Sequence, residues 1–370
     1  MSNTGIQTDF FLGANTPRGF VSLFDELHDP YRDHRLYIIK GGPGCGKSTL
    51  MKRVAAEALS RGVSAERIHC GSDPDSLDGV LLPKMGVSIC DGTAPHVVEP
   101  TFPGATEVLV DLGRFWNTDR LMARVADVRR YTLECAIYQR RCTRLLQAAG
   151  ALNENIRRAV APHLNEEKLY GYALRFCQRE LPKQKNPAPG RKLTRYLSGV
   201  TPKGRVFFSG TVQTLADRVV AVADETGVAA GALIEQIGAR ALAMGYDAVF
   251  CRCPLAPDGE SEHLILPQVS LAVVTQKRLH GDAIAPWRTI HARRFFSDDL
   301  LSQTRARRAF DQKLIRSLLQ EAVAQQRQAK ASHDKLEQVY GDAMDFDALE
   351  AFAADFCRRL FASPRGPGRG

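Results

Sequence analysis

The sequence predicts an α/β fold of two tandem units, each a parallel sheet flanked by helices and extended by a helical hairpin. Near residues 36–59 a strand pattern, a glycine loop and a helical pattern follow one another. The same succession recurs about 183 residues later, and each copy ends in long helical periodicity. A chain of 370 residues is also longer than one core usually fills, which favours two units.

Composition narrows the class of protein. Hydrophobic residues make up 44% of the chain and charged residues 25%, as in ordinary soluble proteins. The apolar runs are too short to span a bilayer, so no membrane partner is expected. Nine cysteines are scattered without the spacing of a disulfide framework, which favours reduced thiols and a cytoplasmic location. The formal net charge of +9 suits phosphate-rich partners, although nucleic acid has no specific support.

The glycine loop matches the P-loop pattern G-x-x-x-x-G-K-[ST]. An apolar strand pattern at 36–39 precedes it and a helical pattern at 50–59 follows it, which is the context that phosphate binding requires. Backbone N–H groups of such a loop point at phosphate oxygens, and the helix N-terminus adds positive potential. The predicted nucleotide-binding residues are Gly41, Gly42, Pro43, Gly44, Cys45, Gly46, Lys47, Ser48 and Thr49.

Two side chains of this loop have specific expected roles. Lys47 is expected to reach the β- and γ-phosphates and to be catalytic. The Ser48 hydroxyl is expected to ligate Mg²⁺. No base-recognition motif is present, so ATP is the default nucleotide and other NTPs stay open.

The duplication sets the predicted boundaries. Residues 1–185 form the first unit and 196–361 the second. Between them, 186–195 belong to a linker that begins in a segment rich in proline and lysine. Residues 362–370, rich in glycine, proline and arginine, are predicted to be a disordered tail.

The second copy of the loop has lost its phosphate-binding residues. At the local offset, Ala230 stands for Lys47 and Gly231 for Ser48. Asp224 and Glu225 lie where phosphate oxygens would bind, and no lysine compensates them. The second unit is therefore predicted to be structural or regulatory and not to bind a triphosphate.

A carboxylate follows the next strand pattern of the first unit. Asp91 ends the strand pattern 87–90, the position of a Walker B acid that holds Mg²⁺. Its counterpart is Thr275, so the acid disappears together with the lysine. His96 has a counterpart in His280, and its presence in both copies favours a structural role.

Two further acids are candidates for catalysis. Asp73 and Asp78 map at the same offset to Ala256 and Ser261, so both acids are lost with the lysine. Either carboxylate is a candidate general base. The alternative is an ordinary acidic turn, because Asp, Ser, Pro and Gly are the residues that turns use.

Helical periodicity follows each predicted sheet. Steps of three and four predict a helix after Asn117 and a second helix over 166–181. The second unit repeats this arrangement at 298–335 and 347–361. Arginine pairs on these helices indicate solvated faces; an arginine finger or a nucleic-acid contact is the alternative.

Several stretches together resemble a known family. Residues 11–20, 41–49, 72–79 and 91–96 are similar to an uncharacterised family of bacterial tandem P-loop ATPases that is labelled nucleotide-kinase-like. The resemblance implies a P-loop NTPase fold and a cytoplasmic ATPase, without supplying a substrate. The second loop of this chain departs from the family, whose members look able to carry two usable loops.

The expected function is Mg²⁺-dependent ATP binding and hydrolysis at the first loop, with the two units paired as a pseudo-dimer. Gly92 and Thr93 follow Asp91, so the glutamate that polarises water in many motor ATPases is missing. One alternative is a small-molecule or nucleotide kinase that uses Asp73 or Asp78 as its base. Another is a nucleotide-gated switch or scaffold with little turnover and an unknown protein partner.

Overall fold

A computed structural model describes residues 5–29, 34–185, 187–277, 284–297 and 304–362. It contains two six-stranded mixed sheets with helices packed on them. Most of the predicted tail, from residue 363 on, lies outside the described residues, as does His280. Among the described helices, none combines the length and the apolar character that a membrane span requires.

The first sheet has the order β1-β5-β6-β7-β4-β8. Its strands are β1 Gln7–Phe10, β4 Arg35–Lys40, β5 Ala65–His69, β6 Leu77–Leu82, β7 Val87–Asp91 and β8 Glu107–Asp111. A separate hairpin joins β2 Gly13–Thr16 to β3 Gly19–Ser22.

The prediction of a parallel sheet is wrong for one strand in each sheet, β6 in the first and its counterpart in the second. β6 runs antiparallel to both β5 and β7, whereas the other pairs are parallel. The reason lies in the connections: residues 70–76 and 83–86 are too short for the crossover that parallel neighbours need.

The second sheet repeats the first. Its order, β16-β12-β15-β14-β13-β9, places each strand where its counterpart lies in the first sheet. The strands are β9 Lys192–Arg195, β12 Arg218–Ala223, β13 Ala248–Cys251, β14 His263–Leu266, β15 Leu271–Gln276 and β16 Arg288–His291. The hairpin β10 Ser198–Thr201 and β11 Gly204–Phe207 also recurs.

The predicted linker ends too late. Residues 192–195, assigned to it from the sequence, form β9 and pair in parallel with β13. This pairing gives the backbone groups of the segment hydrogen-bond partners inside the second sheet. Residues 192–195 therefore belong to the second sheet and not to a linker.

Within the described residues the α-helices are α1 Lys47–Ser60, α2 Thr118–Ala123, α3 Val125–Val160, α4 Glu166–Glu180, α5 Ser209–Leu215, α6 Val228–Ala243, α7 Arg305–Gly341 and α8 Phe346–Ala362. Asparagine side chains cap two of them: Asn117 accepts from the Arg120 N–H group and Asn165 from that of Lys168. The two longest helices, α3 and α7, pack along each other. At about 1.5 Å per residue each is roughly 54 Å long.

The predicted hairpins do not stay within their units. α4 packs on α6 of the second unit and α8 packs on α1 of the first. Backbone hydrogen bonds mirror this exchange, because Asn117 donates to Ala343 and Asn165 donates to Phe295, both at 2.8 Å. Each unit is therefore completed by a helix from the other half of the chain.

A shared core joins the two sheets. Alternate residues of the central strands face opposite sides: Ile38 and Val219 enter one core common to both sheets, whereas Ile39 and Val220 face the helices. The 3-10 turn Phe24–Leu27 and helix α5 contribute to the shared core. Burial of apolar side chains thus stabilises each half and also holds the two halves together.

Candidate functional site

The glycine loop lies between β4 and α1 and packs tightly against the second half of the chain. Gly44 and Gly46 adopt positive φ angles of 68° and 81°, which favour glycine. A Cβ atom on Gly44 would lie 2.6 Å from the Glu337 carbonyl oxygen, and one on Gly46 would lie 2.7 Å from Leu349. Both glycines are therefore required by conformation and by the close approach of α7 and α8.

Lys47 begins α1 and folds back over the loop. Its ammonium group donates to the carbonyl oxygens of Gly41 at 2.7 Å and Gly42 at 2.8 Å. It also lies 3.4 Å from a carboxylate oxygen of Asp91, and both side chains are 13% exposed. The lysine and the strand-end acid of the sequence prediction are thus in contact.

Asp91 ends β7 and has its two carboxylate oxygens in different surroundings. Oδ1 accepts from the Thr93 N–H group at 2.9 Å and from the Thr93 hydroxyl at 2.6 Å. Oδ2 faces Lys47. The turn after β7 therefore fixes the carboxylate and leaves one oxygen directed at the loop.

Ser48 links the start of α1 to β6. Its hydroxyl oxygen accepts from the Leu77 N–H group at 3.0 Å. Asp78, which follows Leu77 in β6, is buried. Burial raises the pKa of Asp78 to about 8, and the neighbouring Asp91 charge adds to this rise. Asp78 therefore carries a proton near neutral pH even though the Lys47 ammonium group is close by.

His96 lies in the same place, although its presence in both copies of the sequence favoured a structural role. The ring is 5% exposed and stacks on Phe24 with the ring centroids 4.4 Å apart. Burial lowers the pKa of His96, so the ring is neutral at pH 7. Ligand atoms of Asp78, Asp91 and His96 all lie within 4.8 Å of one another. The stretch that ends at His96 was part of the family resemblance, but no pattern assigned it a ligand role.

Asp73 has a different environment from Asp78. Its carboxylate accepts from the Ser76 hydroxyl at 2.9 Å and from the Asp75 N–H group at 3.3 Å. The Lys330 ammonium on α7 lies 3.4 Å from it. These contacts stabilise the turn 70–76, so the geometry favours the turn interpretation for Asp73 and leaves Asp78 as the acid beside Asp91.

Residues far away in sequence cover the loop. A Cβ atom on Gly42 would lie 3.1 Å from both Trp116 and Tyr340. The Gln139 amide of α3 is 3.4 Å from the Ser72 hydroxyl. These contacts join segments more than 60 positions apart, so no local sequence pattern could have shown them.

In the second loop, a carboxylate of the loop itself accepts hydrogen bonds from nearby backbone N–H groups. Only residues 224–227 separate β12 from α6, whereas 41–46 separate β4 from α1. The buried Asp224 carboxylate accepts from the N–H groups of Ala230 at 3.0 Å and Thr226 at 2.9 Å. Helix N–H groups that an anion could use are therefore already occupied.

Two sequence assignments in the second unit need correction. Strand register pairs Gly79 with Cys90 and His263 with Val274, which makes Glu262, and not Ser261, the counterpart of Asp78. The buried acid is thus kept. A lysine also lies at the second loop, because Lys277 forms an ion pair of 2.8 Å with Glu262 and a Cβ atom on Gly227 would lie 2.9 Å from its ammonium nitrogen. The sequence comparison missed it because this cation comes from the end of β15.

Comparison of the chain with family models, with curated proteins and with solved structures gave no match. The function proposed below therefore rests on the residues and on their geometry.

Proposed function

We propose that the chain binds a nucleoside triphosphate, with ATP as the reference nucleotide, at residues 41–49 together with a divalent cation. We propose also that it slowly hydrolyses the bond between the β- and γ-phosphates and releases the γ-phosphate. The carrying observation is that Lys47 contacts Asp91 at the end of a tight glycine turn, where Ser48 follows Lys47 at the start of α1. These are the cation, hydroxyl and acid that P-loop proteins use around the phosphates.

The residues fit the cation that such a site requires. Ser48 and Asp91 offer oxygen donors, which Mg²⁺ prefers, and one Asp91 oxygen is directed at the loop. A cation held there would neutralise charge on the β- and γ-phosphates. Lys47 would exchange the loop carbonyls for phosphate oxygens. Gly92 and Thr93 follow Asp91, so the usual water-polarising glutamate is not there and slow turnover is expected.

Phosphate release and calorimetric ATP binding test this proposal. Lys47→Ala and Asp91→Ala are each expected to lower cation-dependent release by about 100-fold or more, because each removes a charge at the phosphates. Lys52→Ala, which removes an exposed ammonium group from the same helix, is the control and is expected to behave like the parent. Unchanged release in Lys47→Ala would contradict the proposal. ADP formation that requires an added acceptor and releases no inorganic phosphate would indicate a kinase.

A nucleotide-gated switch is the second candidate, and one observation favours it. The loop is in contact with α7 and α8, which belong to the second half of the chain. A ligand that moves the loop would therefore also move these helices. Tight ATP binding with almost no turnover, together with ATP-dependent hydrogen exchange along 337–349, would favour the switch over the hydrolase.

A further inference from the structure

Three side chains with metal-binding atoms form a buried cluster beside the glycine loop. Asp78 lies in β6, Asp91 ends β7, and His96 follows in the turn after β7. All three residues are buried. Neighbouring strands of one sheet hold the two carboxylates, so their positions are fixed by the sheet.

The spacing of this cluster suits a single ion. One ligand atom from each side chain lies within 4.8 Å of the others. Ligands on opposite sides of an ion at about 2.2 Å are about 4.4 Å apart. Three atoms 4.8 Å apart lie about 2.8 Å from their common centre, so shifts of roughly half an ångström would bring all three into one coordination sphere.

His96 gives the independent sign that a ligand belongs there. Among the described residues, neither of its ring nitrogens has a hydrogen-bond partner, although both are buried. An unsatisfied buried polar group costs about 1–3 kcal/mol, so such groups normally have a partner. The stacked Phe24 ring holds the imidazole within reach of the two carboxylates. A metal ion would supply the missing partner.

We propose that Asp78, Asp91 and His96 bind a divalent transition metal ion such as Mn²⁺, Fe²⁺ or Co²⁺. Two carboxylates offset the ionic charge, and the imidazole nitrogen favours transition metals over Mg²⁺, which prefers oxygen. The proposal deepens the proposed function, on which it rests for the role of the ion at the phosphates. The metal site itself is defined by these three side chains and can be tested without nucleotide.

Mn²⁺ binding to the full chain without nucleotide tests the site. Paramagnetic resonance titration is expected to show one tight Mn²⁺ per chain, and pulsed spectra are expected to show coupling to a histidine nitrogen. His96→Phe keeps an aromatic ring on Phe24 and is expected to abolish the nitrogen coupling and to weaken binding by about tenfold or more. His96→Gln, which keeps a polar group, is the second variant and is also expected to lose the coupling.

His333→Phe is the matched control, because His333 belongs to a separate, more exposed cluster with Asp334 and Glu337. This control is expected to keep the coupling. Persistence of the coupling in a folded His96→Phe or His96→Gln protein, its loss in His333→Phe, or no tight Mn²⁺ in the parent would overturn the proposal.

Lys47→Met separates this inference from the proposed function. The change removes a positive charge 3.4 Å from Asp91, so Mn²⁺ is expected to bind more tightly while ATP binding is lost. Mn²⁺ with nitrogen coupling in a protein that never binds ATP would contradict the proposed function and support the metal site. ATP binding in a parent protein whose Mn²⁺ shows no nitrogen coupling would support the proposed function and contradict the metal site.

Discussion

The carboxylate of Asp224 shows how one residue changes what the N-terminus of a helix can bind. It accepts hydrogen bonds from Ala230 and Thr226, and the Thr226 hydroxyl also donates to it at 2.7 Å. In the first unit, Lys47 occupies the helix start and no acid lies within the glycine loop. The same type of turn therefore carries an internal anion in one unit and a cation in the other.

Asp224→Ala is expected to lower the free energy of unfolding by about 1–3 kcal/mol, because it leaves buried N–H groups without acceptors. Urea denaturation of the full chain measures this change. Glu225→Ala, which removes an exposed carboxylate from the next residue, is the control and is expected to stay within about 0.5 kcal/mol of the parent. Equal effects of the two changes would contradict the capping role.

Asp9 makes the free energy of unfolding depend on pH. Burial alone would raise the pKa of Asp9, but hydrogen bonds from His69 at 2.8 Å and Arg67 at 2.7 Å outweigh burial and lower it from 3.8 to about 2. A depressed pKa means that the carboxylate stabilises the fold fully above pH 3.8 and loses this contribution as pH falls toward 2.

Asp9→Asn is accordingly expected to lower the free energy of unfolding at neutral pH by roughly 2 kcal/mol, with the difference from the parent shrinking below pH 4. Denaturation curves at a series of pH values check it. Asp258→Asn, in an exposed ion pair with Arg18, is expected to have little effect. If the difference in unfolding free energy between the parent and Asp9→Asn grew as the pH fell, the role given to Asp9 would be contradicted.

At the scale of elements, α8 is the helix that completes the first unit. Leu349, Ala353 and Phe356 pack on α1, and the Phe356 ring meets the Tyr37 ring edge-on at 5.1 Å. Leu349 also contacts Gly46 of the glycine loop. The pseudo-symmetric helix α4 packs in the same way on α6 through Leu169.

This symmetry supplies a matched pair of substitutions. Leu349→Ala and Leu169→Ala are each expected to lower the free energy of unfolding by roughly 2–4 kcal/mol, because each opens a cavity in a core. Only Leu349→Ala is expected to weaken ATP binding, since only Leu349 supports the glycine loop. Calorimetry on the folded variants measures the affinities, and equal ATP affinity in both would contradict the role given to α8.

At the scale of the whole molecule, the two halves are interlocked. Each half gives its terminal helix to the other, α3 runs along α7, and the sheets share a core. Thr211 of the second half also exchanges hydrogen bonds with the backbone of Asp9 at 2.8 Å. Separating the halves would therefore expose several apolar surfaces at once.

Fragments 1–185 and 186–370 are accordingly expected to be unfolded or aggregated when each is produced alone, and to copurify as a folded 1:1 complex when produced together. Circular dichroism and gel filtration distinguish these states. A monomeric, cooperatively unfolding 1–185 fragment would show that the helix exchange contributes little to its stability.

Local patterns were enough for the parts of the fold that depend on neighbours in sequence. The apolar run at 36–39, the glycines before Lys47 and the strand that ends at Asp91 are local, and the structure has β4, α1 and β7 there. The duplication was also visible in the sequence, and the two copies fold into sheets with the same order of strands. The sequence by itself therefore determined two α/β units and the residues of the glycine loop.

Only the tertiary structure decided which surfaces meet. The exchange of α4 and α8, the arrival of Lys277 at the second loop and the meeting of His96 with Asp78 depend on contacts between distant segments. An amphipathic helix shows which of its faces is apolar, but not which of two similar sheets will cover that face. Two nearly equivalent partners existed within one chain, and three-dimensional packing made the choice.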